Sequence, residues 1–597
     1  NAPCPCGSGK RYKHCCGAQS AAAPAASGPR PTPPIQPADQ CNLWLAEAIN
    51  SVNRGDFAHA ATLCDRVLAA ASLTDLQKLA AAEIGGAAAT HMARHERARE
   101  LYLVALAVDP RRVQTLHNLG LNAVRLMNLE DAVGYWRKVL ALDSAHVAAY
   151  TELGEALRKL ARWDEAKALY EHAIAAGHVD QLLCTGHLMS LHYNPRDPDE
   201  SFQAHLDWAA RFAPAANMAG RVHRNERSTS RKLRVGYYSP NFSRNVVGHF
   251  FKPLIAHHDR ARFELYLYSH TEAEDDFTAW FRRSCDTWTD VRNLAPRQAA
   301  ALIAADRIDV MVDLAGLAAR SILPALSYKP APVQLTMLDY FDTTGVAAID
   351  YFVSDDYHSP ADSPQRFTET LIRLPTIRLC YEPVDIAPPV RELPALRNGF
   401  VTFGSFNRRQ KVTPEVVALW SRVLHAVPDA RLLLKGGDFD RPEVQERIVH
   451  EFADAGISPA RLEFRGHSAH RAALEQYGDV DIALDTFPWN GGLTTCEALL
   501  MGVPVVALKG DRILSRQSAA MMHAVGLDDF VADDAEQYVD IARRRAQDLQ
   551  ALALLRGGLR HRLLASPLCD GKRYARALEE VYTRIWAQWC AQEQRAG

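Results

Sequence analysis

The stretch DIALDTFPWNGGLTTCEALLMGVPVVALK, residues 481–509, decides how the rest of the chain is read. Its apolar run Ile482, Ala483 and Leu484 reads as a buried strand ending at Asp485. A loop follows with Asn490, Gly491 and Gly492, and Thr494 and Thr495 open a helical segment. The chain turns at Gly502 and Pro504 and enters a second buried strand, 505–508. Strand, loop, helix and strand in that order form the building unit of a parallel sheet. Such a loop presents backbone N–H groups and two hydroxyls at a helix N-terminus, an arrangement that holds phosphate. Glu497 stands about one helical turn further on, within reach of a sugar hydroxyl on the same ligand. The stretch by itself also fits an ordinary glycine turn with a threonine N-cap. The flanking sequence has to separate the two readings.

The same alternation extends upstream. Strands are expected at 401–407, 430–436 and 461–466, with helices at 414–425, 442–455, 469–476 and 515–526 between or after them. An earlier unit opens with KLRVGYYS from Lys232 and continues through strands at 263–270, 308–316, 333–338 and 350–355. A Pro-bounded linker, 388–394, separates the two. Two consecutive α/β units predict two Rossmann-like lobes facing a cleft, the first over 231–390 and the second over 398–565, with a closing helical segment over 566–597. No G-x-G-x-x-G fingerprint occurs, which speaks against a dinucleotide.

Ahead of the lobes the pattern is helical and repeats. Gly86, Gly120 and Gly154 are spaced 34 residues apart, as are Ala98, Ala132 and Ala166, and an aromatic residue follows each alanine by four: Tyr102, Trp136, Tyr170. Small residues where helices cross, with aromatics filling the next layer, make the tetratricopeptide signature at that period. A looser copy begins near Ala60, so the array is expected over 40–178 with about four repeats, followed by a helical connector over 179–230. Such solenoids present a concave groove for peptide or protein, the plainer alternative being a spacer. Residues 18–39, rich in Ala, Pro and Ser, read as a semi-extended linker.

The first seventeen residues carry Cys4, Cys6, Cys15 and Cys16. Four thiolates in two close pairs suit a tetrahedral structural zinc, and a segment this short cannot bury a core, so the metal has to supply the folding energy. The other eight of the twelve cysteines are scattered, which indicates a reducing compartment; a bacterial-type cytoplasm is the expected location. With 68 basic and 70 acidic residues in 597, no electrostatic footprint for nucleic acid stands out. No apolar run reaches membrane-spanning length, and the N-terminal residues lack the apolar centre of a signal peptide.

These motifs resemble a known family. The four-cysteine segment is similar to the SEC-C zinc motif. LRVGYYSPNF, YKPAPVQ (328–334), FGSFNRRQKVTPEVVALW (403–420), the stretch quoted first and SPLCDGKRYARALEEVYTRIW (566–586) resemble blocks of the O-GlcNAc transferase and SPINDLY family. The likeness covers about residues 190–590, with the repeats on the expected side. It implies a GT-B fold and a metal-independent transfer of sugar from a nucleotide sugar to protein. It also implies a donor site in the second lobe. Lys411 would neutralise the leaving diphosphate, with Asn407 and Arg408 beside it. Thr494 and Thr495 would hold phosphate oxygens, Glu497 the ribose, and the Arg465–Gly466–His467 loop the base through its backbone. The glycine loop, Asn490 to Gly492, would line the phosphates.

The first lobe departs from the family pattern. A histidine expected after the opening strand is Asn245, which cannot serve as a base near neutral pH. Leu317 and Ala473 replace other polar residues of the pattern, although His470 is close to the latter, and Asp339 and Asp342 replace glycines of a cleft loop. Asp313, Asp339, Asp342 and His249 are left as candidates for the base or for orienting the acceptor. A non-catalytic adaptor with a decayed site, or a transferase with a non-protein acceptor, are the competing readings. The sugar, the acceptor and the oligomeric state stay open at this level.

Overall fold

The computed structural model describes residues 37–193, 197–318 and 320–592. The four N-terminal cysteines assigned to zinc lie outside them. The described residues form two compact units that divide between Asn118 and Leu119.

In the first unit the described helices Pro37–Arg54, Phe57–Leu68, Asp75–His91 and His95–Val108 make two antiparallel pairs. Asp56 caps the second helix, and Thr74 and Gln77 form a capping box on the third. Ala60, Leu63, Cys64, Val67, Ala81 and Ala88 close the core. The Tyr102 ring packs against Gly86, where an added Cβ would come within 2.6 Å of it. The 34-residue glycine period is therefore a steric requirement.

The second unit begins inside the helix Val113–Arg125 and continues through Leu129–Leu142, Val147–Lys159 and Trp163–Ala175. Gly120 receives Trp136 as Gly86 receives Tyr102, and Tyr170 is clasped between Gly154 and Gly186, with added Cβ atoms at 2.2 and 2.6 Å from its ring. Gly154→Ala is accordingly expected to destabilise this unit by about 1–3 kcal/mol through overpacking. Gly134→Ala, whose Cβ would meet nothing within 4 Å, should be neutral or stabilising by up to ~1 kcal/mol. Chemical denaturation of the two variants measures both. Helices Gln181–Tyr193 and Pro198–Phe212 lead to the first sheet.

That sheet holds β1 (Leu233–Ser239), β2 (Phe263–Ser269), β3 (Thr287–Asp290), β4 (Val310–Asp313), β5 (Val333–Thr336), β6 (Tyr351–Asp355) and β7 (Thr370–Leu374), ordered β3-β2-β1-β4-β5-β6-β7. The second holds β8 (Thr402–Ser405), β9 (Arg431–Lys435), β10 (Leu462–Arg465), β11 (Ile482–Leu484), β12 (Val505–Leu508) and β13 (Val531–Ala532), ordered β10-β9-β8-β11-β12-β13. Every neighbouring pair is parallel. Both lobes thus share the doubly wound order in which the chain reverses direction between its first and fourth strands. They are pinned alike: Asp309, just before β4, accepts the Arg234 N–H, and Asp481, just before β11, accepts the Thr402 N–H. The strands that sequence patterning did not reveal are β3, β7 and β13. Each is an edge strand with one partner and a short or half-exposed apolar pattern.

The helix Gly571–Gln592 crosses back onto the first lobe. Its Glu579 carboxylate lies 2.9 Å from His258 Nδ1 and accepts the Asp259 N–H, and Tyr582 bonds Tyr237 through their hydroxyls. Among the described residues no helix is long and apolar enough to cross a membrane, and the cysteines are free thiols.

Candidate active site

Ligands of a doubly wound sheet settle outside the carboxyl ends of the strands where the order reverses, here between β8 and β11 in one lobe and β1 and β4 in the other. The loops leaving these strands carry most of the residues singled out above.

In the second lobe β8 runs into Asn407, Arg408 and a 3-10 turn, Arg409–Lys411. The loop after β11 carries Asn490, Gly491 and Gly492, and Gly492 caps the helix Leu493–Leu500. Lys411 Nζ reaches across and donates to the Asn490 carbonyl at 2.7 Å, 5.6 Å from the Trp489 ring centre. Burial pulls the Lys411 ammonium down to about 8, with Asp485 opposing and Arg408 reinforcing that shift. Asp485 holds the loop by accepting the Gly491 N–H at 2.8 Å, and burial pushes its carboxyl up to about 6. Its second oxygen and the Asn490 Oδ1 are buried without hydrogen-bond partners. Gly491 is required here, because a Cβ would stand 2.4 Å from Thr495 Oγ1.

The two threonines part company. Thr494 Oγ1 lies 3.5 Å from Asn407 Oδ1 at the crevice, whereas the Thr495 hydroxyl is buried on Ser518 Oγ at 2.9 Å. Adjacent helical residues point about 100° apart, so one crevice cannot receive both side chains equally. Glu497 Oε1 lies 2.6 Å from His470 Nε2, and the His470 ring stands 6.0 Å from that of His249 in the other lobe. His470, one turn before Ala473, therefore takes the place beside Glu497. The Gly466–His467 loop differs from expectation: the Gly466 carbonyl accepts from Lys435 Nζ and the His467 N–H donates to Asp440. These backbone groups already have protein partners.

In the first lobe the four candidates separate. Asp313, fully buried at the end of β4, accepts from the Ala315 and Gly316 N–H groups and from Thr336 Oγ1, so it braces its own turn. Asp342 is turned away from the crevice. It accepts from Ser201 Oγ and the Thr343 N–H and stands among His192, His205 and Tyr340, whose hydroxyl lies 3.1 and 2.7 Å from the two histidines. That cluster closes on itself as a staple to the connector helices. Burial pushes the His249 imidazole down to about 4, His470 and nearby cations adding to this, so it stays neutral and weakly basic at pH 7. Asp339 is different. It is half-buried, its Oδ2 takes a 3.2 Å bond from Asn241 Nδ2, and burial with the Asp313 charge pushes its carboxyl up to about 7. Asn241 is held in turn by Asn245, which caps the helix Val246–His257. The asparagine at the unexpected position is thus a helix cap and the anchor of Asp339's partner. The charge of Arg408 bears on both Asp339 and Lys411.

Sequence reading did not single out Asn241, Asp485 or Trp163. The Trp163 indole, in the last repeat, donates to the Gln410 carbonyl at 3.0 Å and stacks on Tyr193, which packs on Trp489. The repeat array thereby contacts the turn that carries Lys411. In the sequence pattern Asp485 shows only as the end of a strand, and no local signal distinguishes the other two.

Two doubly wound parallel lobes with facing crevices, preceded by tetratricopeptide-like helix pairs, define a GT-B architecture. The Glycosyl transferase family 41 model matches residues 217–380 and 381–578, and the SEC-C motif matches residues 1–18. The chain belongs to glycosyl transferase family 41. It is 36% identical over 409 residues to a Solanum lycopersicum protein named probable UDP-N-acetylglucosamine–peptide N-acetylglucosaminyltransferase SPINDLY, covering 68% of this chain and 44% of that one. The Arabidopsis thaliana protein of that name is 35% identical, over 68% of this chain and 45% of its own. The chain thus spans less than half the length of these relatives. A solved Thermobaculum terrenum O-GlcNAc transferase mutant superposes with a TM-score of 0.79 at 32% identity, covering 88% of this chain and all of that one.

Proposed function

We propose that this chain transfers a sugar from a nucleotide-diphosphate sugar, UDP-GlcNAc or a similar donor, to a serine or threonine hydroxyl of a protein, with inversion and without a catalytic metal. The carrying observation is the Lys411 ammonium held at the mouth of the glycine loop, 2.7 Å from the Asn490 carbonyl. The diphosphate lies against Lys411, Thr494, Asn407 and the leading N–H groups of the helix Leu493–Leu500, which have no acceptors within the helix. The acceptor oxygen attacks the anomeric carbon from the side opposite the diphosphate. As that bond forms, the carbon–oxygen bond to the diphosphate breaks, its electron pair leaves with the phosphate, and Lys411 balances the charge. The hydroxyl proton passes to Asp339. One displacement inverts the anomeric centre.

The tetratricopeptide groove selects the protein, and Trp163 ties the last repeat to the Lys411 turn. Cys4, Cys6, Cys15 and Cys16 hold a structural zinc, a reading supported by their all-thiolate donor set, and a reducing cytoplasm suits the free thiols. Incubation of the full chain with candidate acceptor proteins and UDP-GlcNAc, GDP-fucose or other donors tests the reading by intact mass. One sugar added, with inverted configuration by NMR, is expected. No transfer and no donor hydrolysis across the panel favours the adaptor.

A further inference from the structure

A second hollow, of about 230 Å³, opens at the carboxyl edge of the second sheet, beyond β12. It shares the Phe487–Pro488 segment with the loop that carries Trp489 and Asn490, and Leu508 and Leu514 complete its apolar wall. Arg512 also lines it, only 7% exposed. Arg512 bonds Ser515 through its backbone N–H and carbonyl. Among the described residues no hydrogen bond, ion pair or ring contact engages its guanidinium.

The neighbouring charges are committed elsewhere. Asp533 pairs with Lys509 at 2.5 Å, and Asp534 caps the helix Ala535–Gln547 through the Gln537 N–H. Asp511 is exposed and makes no ion pair with Arg512. His192, on the same wall, is kept neutral because burial pushes its imidazole down to about 3. A guanidinium this largely enclosed is ordinarily paired, and the open side of this one faces the hollow, so it calls for an anion from outside the chain. The volume falls below the roughly 300–1,000 Å³ of pockets for drug-sized ligands, which excludes a nucleotide sugar. Beyond the guanidinium fork the hollow's described residues offer a dianionic phosphate no second unpaired cation, since Lys509 is already neutralised. The planar fork matches a carboxylate with two parallel N–H···O bonds, and the apolar wall accepts a short carbon stem.

We propose that this pocket binds a single carboxylate on a short apolar stem, supplied by an acidic side chain of a polypeptide in the cleft or by a free short-chain acid. The inference does not rest on sugar transfer, and its test needs no donor. The full chain is titrated calorimetrically with butyrate and with its neutral isostere butyramide. Butyrate is expected to bind at least about tenfold more tightly, the scale of a charge-assisted hydrogen bond. Arg512→Gln should erase that preference and Arg512→Lys keep part of it. Short peptides bearing one Glu, with Gln counterparts, separate the sources. A Glu preference that disappears in Arg512→Gln assigns the site to polypeptide, and butyrate binding without any peptide preference assigns it to a free acid. Equal binding of butyrate and butyramide to the unaltered chain, a comparison independent of whether the variants fold, overturns the proposal. So does equal butyrate affinity in the unaltered chain and a folded Arg512→Gln.

Discussion

Lys411→Met is expected to lower kcat by about 10²–10³-fold or more, the cost of removing one preorganised donor from a developing anion, while leaving the fold in place. The direction follows from where the charge appears. In the proposed reaction the diphosphate's growing negative charge is met by the lysine, the threonine hydroxyl and the helix N-terminus. Only the lysine carries a full charge. Methionine keeps much of the side-chain volume beside Trp489 and Asn490, so packing is largely retained. The Asn490 carbonyl loses its 2.7 Å donor and Asp485 its counter-charge, which costs about 1–3 kcal/mol of stability as buried groups go unpaired. Steady-state kinetics with a thermal melt separate the two effects. A variant that retains full turnover would remove Lys411 from the mechanism, and one that fails to fold would assign it a structural role instead.

Asp339→Asn should cost about 10²–10⁴ in kcat, the usual span for a general base, and should change the shape of the pH profile. In the proposed displacement Asp339 works deprotonated and Lys411 protonated. With Asp339 near 7 and Lys411 near 8 in the free protein, kcat/KM should rise with pH through about 7, reach a narrow maximum and fall above about 8. Asp339→Asn removes the rising limb and leaves the falling one. Asp313→Asn is the contrasting case, since that carboxylate is committed to two backbone N–H groups and Thr336. It should lower stability while the rising limb remains. An unchanged acid limb in Asp339→Asn would show that another group takes the proton.

Much of the architecture was legible because its signals are local. A strand buried on both faces in a parallel sheet shows as a short apolar run, which is why 482–484 and 505–508 stood out. The glycine period shows because each repeat must admit an aromatic ring at the same place, Tyr102 at Gly86 and Tyr170 at Gly154. Edge strands were missed because one-sided pairing demands less apolar surface: β3 reads TWTD and is half-exposed throughout. Among the proposed site residues, Lys411 and the glycine loop are expectations of the resemblance. The partition of four acidic or imidazole candidates could not, because Asp313, Asp339, Asp342 and His249 differ only in what surrounds them.

By itself the sequence determined the helical repeats and the two doubly wound lobes that follow them, and it motivated the phosphate reading proposed for residues 481–509, since periodicity and loop chemistry are written within one element at a time. The tertiary structure decided which groups meet. Asn241 reaches Asp339 across 98 positions, the Trp163 indole reaches the Gln410 carbonyl across 247, and Glu497 finds His470 rather than a side chain at position 473. These contacts join loops whose places are set by strand order, and strand order is fixed only when the sheets assemble. The same holds for Arg512, whose guanidinium finds no partner among the described residues, a property of everything packed around it.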